Sequence, residues 1–335
     1  MALSVATFNV LAPCYAQPSW YYPSSEPYMN TEFRRNRILQ FLDSIKDYDI
    51  IGLQEVTDDT IDNVGGIAYT REGEFKYFAS FLTKTHHAFF ASHDRKYWAS
   101  YFSNNPMSPY AWIKNGNVLF LKRSTFHHVT FSDVALGKGG NHAAMATCTH
   151  RASGRKMRVM SVHLDSDIGG NRQSEWESIK TLLPDNPSLV DLVIGDFNAN
   201  TQTGILAADF ANFNDDGEAG KFKNALLKIT NDTGVMIYEQ THPFTSTFND
   251  RHLHEKIDHI VYRYGLMPSN IYYSGVGLYG TVEGTQSGVI DNNLWVVRPD
   301  TRPPGYDLNE ELRINTNFDH VGSDHYPCVA RFNIL

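Results

Sequence analysis

The sequence predicts an α+β sandwich in which two packed sheets are flanked by helices. Short apolar runs of strand length are numerous, "RASG" marks a hairpin turn between two of them, and only a few segments show helical periodicity. Strands and helices do not alternate regularly along the chain. A regular βαβ series is therefore not favoured.

The composition is that of an ordinary globular protein. The 335 residues are 41% hydrophobic and 20% charged, which argues against disorder and suffices for one large core or two small ones. No internal repeat, low-complexity tract or Ser/Gly-rich linker divides the chain. We therefore expect a single domain over residues 1–335.

The sequence also bears on location and redox state. No apolar stretch approaches the ~20 residues of a membrane span, and the first residues, "MALSVATFNV", lack the positive start of a signal peptide. We expect an intracellular, cytoplasmic protein with no membrane span and no obligate protein partner. Cys14, Cys148 and Cys328 are odd in number and widely spaced, which predicts buried thiols.

The net charge limits the classes of ligand. A charge of −8 argues against a protein that coats DNA by broad phosphate neutralisation, although a local basic cleft is compatible with that total. Metal-assisted phosphate chemistry tolerates an acidic protein, because the ion brings its own positive charge.

Strands are predicted wherever apolar and β-branched residues alternate or cluster in short runs. In chain order they are "LSVATFNVL" ending near Asn9, "YDIIGLQEV" ending at Glu55, "HHAFFAS", "NGNVLFLKR", "HHVTFSDV", "NHAAMATCTH", "RKMRVMSVHLD", "LVDLVIGD", "HEKIDHIVYR" and "YPCVARFNIL". Residues 200–250 look rich in loops. Residues 92–115 and 265–320 lack periodicity, which predicts long loops at a functional rim.

Helices are predicted by apolar residues at helical spacing. In "TEFRRNRILQFLDSIK" the apolar residues include Phe33, Ile38 and Phe41, and the arginines are expected on the other face. "GEFKYFASFLTKT" and "NRQSEWESIKTLL" show the same amphipathic pattern.

Polar groups able to bind metal or phosphate stand at the ends of several predicted strands. They are Asn9, Glu55, His163, Asp196 and Asn198, together with Asp258 inside "KIDHIVY" and with Asp324 and His325 before the last strand. If these strand ends converge, carboxylates, amides and imidazoles meet at one site.

Such a donor set favours a hard cation. Oxygen ligands without cysteine point to Mg²⁺ before Ca²⁺ or Mn²⁺, with Mn²⁺ as a substitute, and the histidines then face a phosphate. Phosphodiester hydrolysis needs neutralised phosphate oxygens, a deprotonated water and a stabilised leaving oxygen, and these residue types supply all three.

Each of these residues alone also has an ordinary structural explanation. Glu55 could be a solvated rim residue, His163 a structural histidine and Asn198 the cap of a turn. Asp258 could pair with a neighbouring Arg or His. Their joint order favours the functional interpretation. The aromatic "QPSWYYPSSEPY" is compatible both with base stacking and with packing of a loop on the core.

Six blocks resemble, in order, the signature blocks of the endonuclease/exonuclease/phosphatase superfamily. They are "TFNVLA", "IIGLQEV", "VHLD", "VIGDFNAN", "KIDHIVY" and "GSDHYP", and they span nearly the whole chain. The resemblance implies a four-layer α/β sandwich of two mostly antiparallel sheets packed face to face and flanked by helices.

The resemblance also implies roles for the residues. Glu55 looks like the principal Mg²⁺ ligand, with Asn9 and Asp324 at the metal site or beside it. Asp196 resembles the base that deprotonates water, and Asn198 a donor to the phosphate. His163 and His325 would hold the scissile phosphate, with Asp258 orienting His325.

The N-terminal third is most similar to the deadenylase and nocturnin branch, which implies a 3′ exoribonuclease acting on RNA. The later blocks agree less well, since "GDFNANTQTG" lacks the usual serine and proline-containing loop. A small phosphorylated substrate such as a nucleotide, NADPH, a phosphoinositide or a sphingolipid headgroup is the alternative, and a DNA endonuclease comes third. We expect Tyr15, Arg172 and Asn117 to contact the substrate.

Overall fold

The structure is a computed structural model. It describes residues 2–13, 15–16, 21, 23–58, 60–64, 67–71, 73–93, 115–166, 169–199, 206, 209–210, 220–225, 257–273, 315, 318–319, 321–325 and 327–335.

The described residues form two six-stranded sheets, a separate hairpin and several helices. The first sheet contains β1 (Ala2–Asn9), β2 (Ile50–Thr57), β5 (His86–Ser92), β6 (Asn115–Lys122), β13 (Leu266–Tyr273) and β14 (Cys328–Ile334). The second contains β7 (Phe126–Leu136), β8 (Asn141–His150), β9 (Lys156–His163), β10 (Leu189–Asp196), β11 (Lys223–Asn224) and β12 (Asp258–Arg263). The hairpin is β3 (Thr60–Val64) with β4 (Ile67–Arg71), and the helices are the 3-10 helix η1 (Pro23–Met29), α1 (Thr31–Ser44), α2 (Phe75–Leu82) and α3 (Gly169–Leu182).

The two sheets have matching topologies. The strand orders are β13-β14-β1-β2-β6-β5 and β11-β12-β10-β9-β8-β7. In each sheet one central pair is parallel, β1 with β2 and β9 with β10, and the other neighbours are antiparallel. The two mostly antiparallel sheets that the sequence predicts are thereby confirmed.

The main core lies between the sheets. Apolar side chains from the inner face of each sheet pack there, among them Val5, Leu119, Val159 and Ile194. The sheets approach closely at Gly52, where an added Cβ would lie 2.7 Å from Ile194 Cδ1. Helices cover both outer faces, α1 and α2 on the first sheet and α3 on the second. The four layers follow from this stacking.

The first helix forms where its caps and apolar face predict it. Asn30 is the N-cap, and its Oδ1 accepts a hydrogen bond of 3.0 Å from the backbone N–H of Phe33. Ile38 and Leu42 are fully buried against the first sheet. The expectation that the arginines of this helix all face away from the core is wrong, because Arg34 is 0% exposed.

Four strands were not expected, namely β3, β4, β11 and β13. Residues 266–273, assigned to a long loop, form β13, the edge strand that pairs with β14. The segment contains Pro268, and the pairing register shifts between Pro268 and Asn270. Proline lacks the N–H that a central strand needs but is tolerated at an edge. The proline in this segment therefore argued against a strand in the sequence. Most of residues 92–115 and 274–320 lies outside the described residues.

The described cysteines are buried thiols, and the described helices were expected not to span a membrane. Cys148 and Cys328 are free and buried, as predicted, whereas Cys14 lies outside the described residues. Among the residues that the structure describes, no helix is long and apolar enough to span a membrane.

Candidate active site

The candidate site lies where the parallel strand pairs of the two sheets end side by side. Asn9 ends β1 and Asp196 ends β10. The Nδ2 group of Asn9 donates one hydrogen bond of 2.8 Å to Glu55 Oε1 and another of 3.0 Å to Asp196 Oδ2. A single buried amide therefore joins the carboxylates that the two sheets contribute.

Glu55 reaches this position through an irregularity in β2. The register between β2 and β6 shifts between Leu53 and Val56, and Glu55 has a φ of +58°. A left-handed backbone at a non-glycine residue costs roughly 1–2 kcal/mol, and such strain clusters at functional sites. Glu55 Oε2 accepts a hydrogen bond of 2.8 Å from the backbone N–H of Ala12, which fixes the second carboxylate oxygen.

Asp196 depends on the glycine before it. Gly195 has a φ of +144°, and a Cβ added there would lie 1.9 Å from the carbonyl oxygen of Val162 on β9. Only glycine lets β10 approach β9 so closely. After the strand, the backbone N–H of Asn198 donates to Asp196 Oδ1 at 2.8 Å. Asn198 itself has a φ of +47°, and its Nδ2 donates to the Leu164 carbonyl at 2.7 Å.

Two imidazoles face the Asp196 carboxylate. His163 Nε2 lies 3.7 Å from Asp196 Oδ2 and 4.0 Å from Glu55 Oε1, and His325 Nε2 also lies 3.7 Å from Asp196 Oδ2. Burial by itself raises the pKa of Asp196, but the two imidazoles and the donated hydrogen bonds outweigh it, so the pKa is lowered. Asp196 is therefore ionised at neutral pH.

His325 is held by a third carboxylate. Its Nδ1 lies 2.8 Å from Asp258 Oδ2, and both residues are buried. Burial lowers the pKa of His325, but the carboxylates of Asp258, Asp196 and Asp324 outweigh it and raise the pKa to about 10. The imidazole is thus protonated at neutral pH, with its Nε2–H directed toward the site.

Asp324 completes the constellation from the loop before β14. The Tyr21 hydroxyl donates to Asp324 Oδ2 at 2.9 Å, and Ser323 Oγ donates to the carbonyl of Asn9 at 2.7 Å. Burial raises the pKa of Tyr21 well above its usual value, and the Asp324 carboxylate raises it further, so the phenol keeps its proton. Tyr21 also packs edge-on against Phe318, which places this tyrosine of the aromatic segment in the core.

Arg34 is a site residue that the sequence analysis missed. Its Nε donates to the Gly322 carbonyl at 2.8 Å, and its Nη2 donates to the carbonyls of Val10, at 2.6 Å, and Leu11. The guanidinium thereby ties the loop that follows β1 to the loop that carries Asp324. The "RR" of the helix was the only available signal, and its partners are carbonyls, which carry no sequence signature.

The residues expected to contact the substrate are Tyr15, Asn117 and Arg172. The Tyr15 hydroxyl accepts a hydrogen bond of 3.2 Å from Asn115 Nδ2. Asn117 is fully buried and donates from Nδ2 to the His142 carbonyl at 2.6 Å. Arg172 is partly buried in the first turn of α3, and its Nε has no hydrogen-bond partner within the described part of the chain. The structure therefore brings the eight carboxylate, amide and imidazole candidates together, while substrate contact by these three stays a prediction.

The site fits a divalent cation. Four carboxylates are buried within it, those of Glu55, Asp196, Asp258 and Asp324. Ligand atoms of Asp196, Asp258 and His325 lie within 4.8 Å of one another, close enough for one ion. Because buried negative charges need compensation, this donor set fits a cation better than it fits a structural ion-pair network.

Fold and site together define a hydrolase of phosphate esters. The geometry offers an ionised base, a protonated imidazole and a cation site within one cleft between two sheets. The chain belongs to the Endonuclease/Exonuclease/phosphatase family, which it matches over residues 6–325.

Solved structures of three other proteins share the fold. The human Nocturnin catalytic domain with bound sulfate has a TM-score of 0.58 at 15% identity, covering 100% of this chain and 95% of that chain. ANGEL2, described as a 2′,3′-cyclic phosphatase in complex with adenosine-2′,3′-vanadate, has a TM-score of 0.62 at 14% identity, covering 100% and 96%. D. rerio TDP2 complexed with a single-strand DNA product has a TM-score of 0.54 at 13% identity, covering 99% and 99%. No curated protein matches the sequence.

Proposed function

We propose that the protein is a Mg²⁺-dependent phosphodiesterase that removes nucleotides from the 3′ end of RNA, in the manner of a deadenylase. The observation that carries this proposal is the Asn9 amide bonded to both Glu55 and Asp196, with two imidazoles 3.7 Å from the same Asp196 oxygen. Carboxylate oxygens next to imidazole nitrogens suit a metal-bound phosphate.

Glu55 and Asp324 would hold the ion, with Asn9 beside it. Asn9 turns its Nδ2 toward the carboxylates, and its Oδ1 accepts a hydrogen bond of 3.0 Å from the backbone N–H of Leu11, so its main role is to orient ligands. When bound, Mg²⁺ would neutralise charge on the phosphate oxygens. We prefer this oxygen set to one including His325, because the His325 ring is already committed to Asp258.

The remaining roles follow from protonation states. Asp196 is ionised and accepts a proton from water, while Asn198 fixes the turn that holds it. His325, protonated and aligned by Asp258, donates Nε2–H to a phosphate oxygen. His163 lies on the other side of Asp196 and contacts the same phosphate.

RNA is supported by sequence and by relatives. The N-terminal blocks resemble the deadenylase branch, and ANGEL2, a protein of similar structure, is described as a 2′,3′-cyclic phosphatase in complex with an adenosine compound. Tyr15, whose hydroxyl accepts from Asn115, is the aromatic residue that we assign to the nucleobase.

A second candidate keeps the chemistry and changes the substrate to a small phosphorylated molecule. The net charge of −8 favours it, since a long RNA needs several phosphate contacts from Lys or Arg. Salt discriminates between the two. Affinity for a long RNA falls steeply as salt is added, whereas affinity for a small ligand changes little.

The test is product analysis with labelled poly(A), mixed RNA, DNA, NADPH and phospholipid, in Mg²⁺ and with a chelator. We expect shortening of RNA from its 3′ end in Mg²⁺ only, and a loss of at least about a hundredfold in Glu55→Gln. Glu32→Gln on the surface of α1 is the control and keeps full activity. Wild-type rates in Glu55→Gln on every phosphodiester tested would exclude this site.

A further inference from the structure

His142 lies beside the candidate active site on the neighbouring strand. The antiparallel register of β8 and β9 pairs Ala144 with Ser161, and continuing it by two residues sets His142 opposite His163. Ala144 packs in the core between the sheets. Because side chains alternate along a strand, His142 points into the same cleft as His163.

The backbone of His142 is held by the opposite sheet. Its N–H donates to His93 Nδ1 at 3.0 Å, and its carbonyl accepts from Asn117 Nδ2 at 2.6 Å. The ladder between β8 and β9 has already ended at Ala144, so these two side chains replace the bonds that a strand partner would make. His93 and Asn117 are both buried.

The imidazole of His142 is held as well. Its Nδ1 lies 2.6 Å from Asp133 Oδ1 on β7, in the arrangement that joins His325 to Asp258. A carboxylate on Nδ1 fixes the orientation of the ring and leaves Nε2 as its other polar atom. The side chain of His142 is 24% exposed, against 18% for His163.

Holding His142 in this way costs stability. Asn117 leaves its Oδ1 buried without a hydrogen-bond partner among the described residues, which is unfavourable. Burial, with His163 and His142 nearby, lowers the pKa of His93 well below its usual value and keeps it neutral, as an acceptor at Nδ1 must be. A partly exposed histidine that is fixed at three points contributes little to the stability of the fold. It is suited to contact a ligand.

We propose that His142 is a substrate-binding residue that binds a second phosphate, the one adjoining the scissile phosphate held at His163. This inference rests on the proposed function and specifies its substrate as one with neighbouring phosphates. His93 lies against both residues, since its Nδ1 accepts from the His142 backbone at 3.0 Å and its ring centroid is 6.2 Å from that of His163. The two imidazoles therefore cover neighbouring anionic groups of one ligand.

Kinetics on two matched substrates test the proposal. The substrates are adenylyl-adenosine and the same dinucleotide with a 5′-phosphate, and the variant is His142→Asn, which keeps the backbone that His93 and Asn117 bind. We expect the preference in kcat/KM for the phosphorylated dinucleotide to fall about tenfold, mainly through KM. Asp133→Asn lowers it less, and His128→Asn, an exposed histidine of β7, leaves it unchanged. An unchanged preference in His142→Asn would overturn the proposal.

Binding of pyrophosphate, measured by calorimetry without Mg²⁺, separates this inference from the proposed function. If neither dinucleotide is cleaved in Mg²⁺, the proposed function fails, and the calorimetry still decides the role of His142. Weaker pyrophosphate binding in His142→Asn than in His128→Asn supports that role. Equal binding in wild type and both variants contradicts it.

Discussion

At the residue scale, the position of Asp196 depends on the absence of a side chain at Gly195. We expect Gly195→Ala to destabilise the protein by more than about 4 kcal/mol, because the new Cβ would lie 1.9 Å from the Val162 carbonyl at a φ of +144°. Urea unfolding measures the loss.

Gly154→Ala is the matched control for that substitution. Gly154 has a φ of +71° in the turn between β8 and β9, with nothing within 4 Å of an added Cβ. Only the left-handed conformation is penalised there, at about 1 kcal/mol. Equal losses in the two variants would show that the close approach of β10 to β9 has no bearing on stability.

The residues of the site differ in how far the sequence predicts them. Asn9, Asp196 and His163 follow apolar runs. The meeting of Asp196 with His163 follows from the parallel pairing of their strands, whereas Asn9 joins them from the other sheet. The left-handed backbone of Glu55 cannot be predicted in this way, because it comes from an irregularity in the pairing with β6 that no residue type indicates. Arg34 was misplaced because helical periodicity treats an arginine as exposed, whereas carbonyls from two loops solvate it.

At the element scale, the start of α2 carries an unsatisfied acid. Glu74, its N-cap, is 1% exposed, and neither carboxylate oxygen has a hydrogen-bond partner among the described residues. Burial raises the pKa of Glu74 from 4.5 to about 7, and the nearby Arg34 and Arg35 offset this only in part. The folded protein therefore binds this proton more tightly than the unfolded chain does.

This shift predicts how stability changes with pH. The contribution of Glu74 is complete below pH 4.5 and is lost as pH rises through 7. Relative to wild type, Glu74→Gln should gain up to about 3 kcal/mol of unfolding free energy between pH 5 and 8. Urea unfolding at both pH values measures this gain, with Glu32→Gln as the surface control. A difference that does not change with pH would contradict the assignment.

Elements also differ in how well the sequence predicts them. The central strands were foreseen because buried β-branched runs such as "LVDLVIGD" admit few alternatives. The edge strand β13 was not, since its Pro268 and its bulge break the alternation that identifies a strand.

At the scale of the whole molecule, four buried carboxylates converge on one cleft. The protonated His325 offsets part of the repulsion among Glu55, Asp196, Asp258 and Asp324, and a bound cation would offset more. We expect Mg²⁺ to raise the Tm in a concentration-dependent way. At a Mg²⁺ concentration of a hundred times Kd, the unfolding free energy should increase by about 2.7 kcal/mol. Calorimetry with and without chelator measures the shift.

Glu55→Gln should abolish most of this Mg²⁺-dependent rise, because it removes a ligand charge. Glu32→Gln should keep it. The same rise in all three proteins would show that the ion acts elsewhere than at the cleft.

The overall architecture was predictable in class but not in strand order. Runs of strands with a few amphipathic helices indicate a sandwich. Which strands become neighbours depends on pairings across the whole chain, such as Ala2 with Asn333, and a local pattern cannot specify these.

The pairing of β1 with β14 determines when the site is assembled during folding. β1 sits between β2 and β14, so the last strand must dock on the first before the loop bearing Asp324 and His325 can reach Asn9. Contacts this distant in sequence make folding slow. A chain in which β14 has not yet docked on β1 therefore lacks an assembled site, however early the other strands of the first sheet begin to pair.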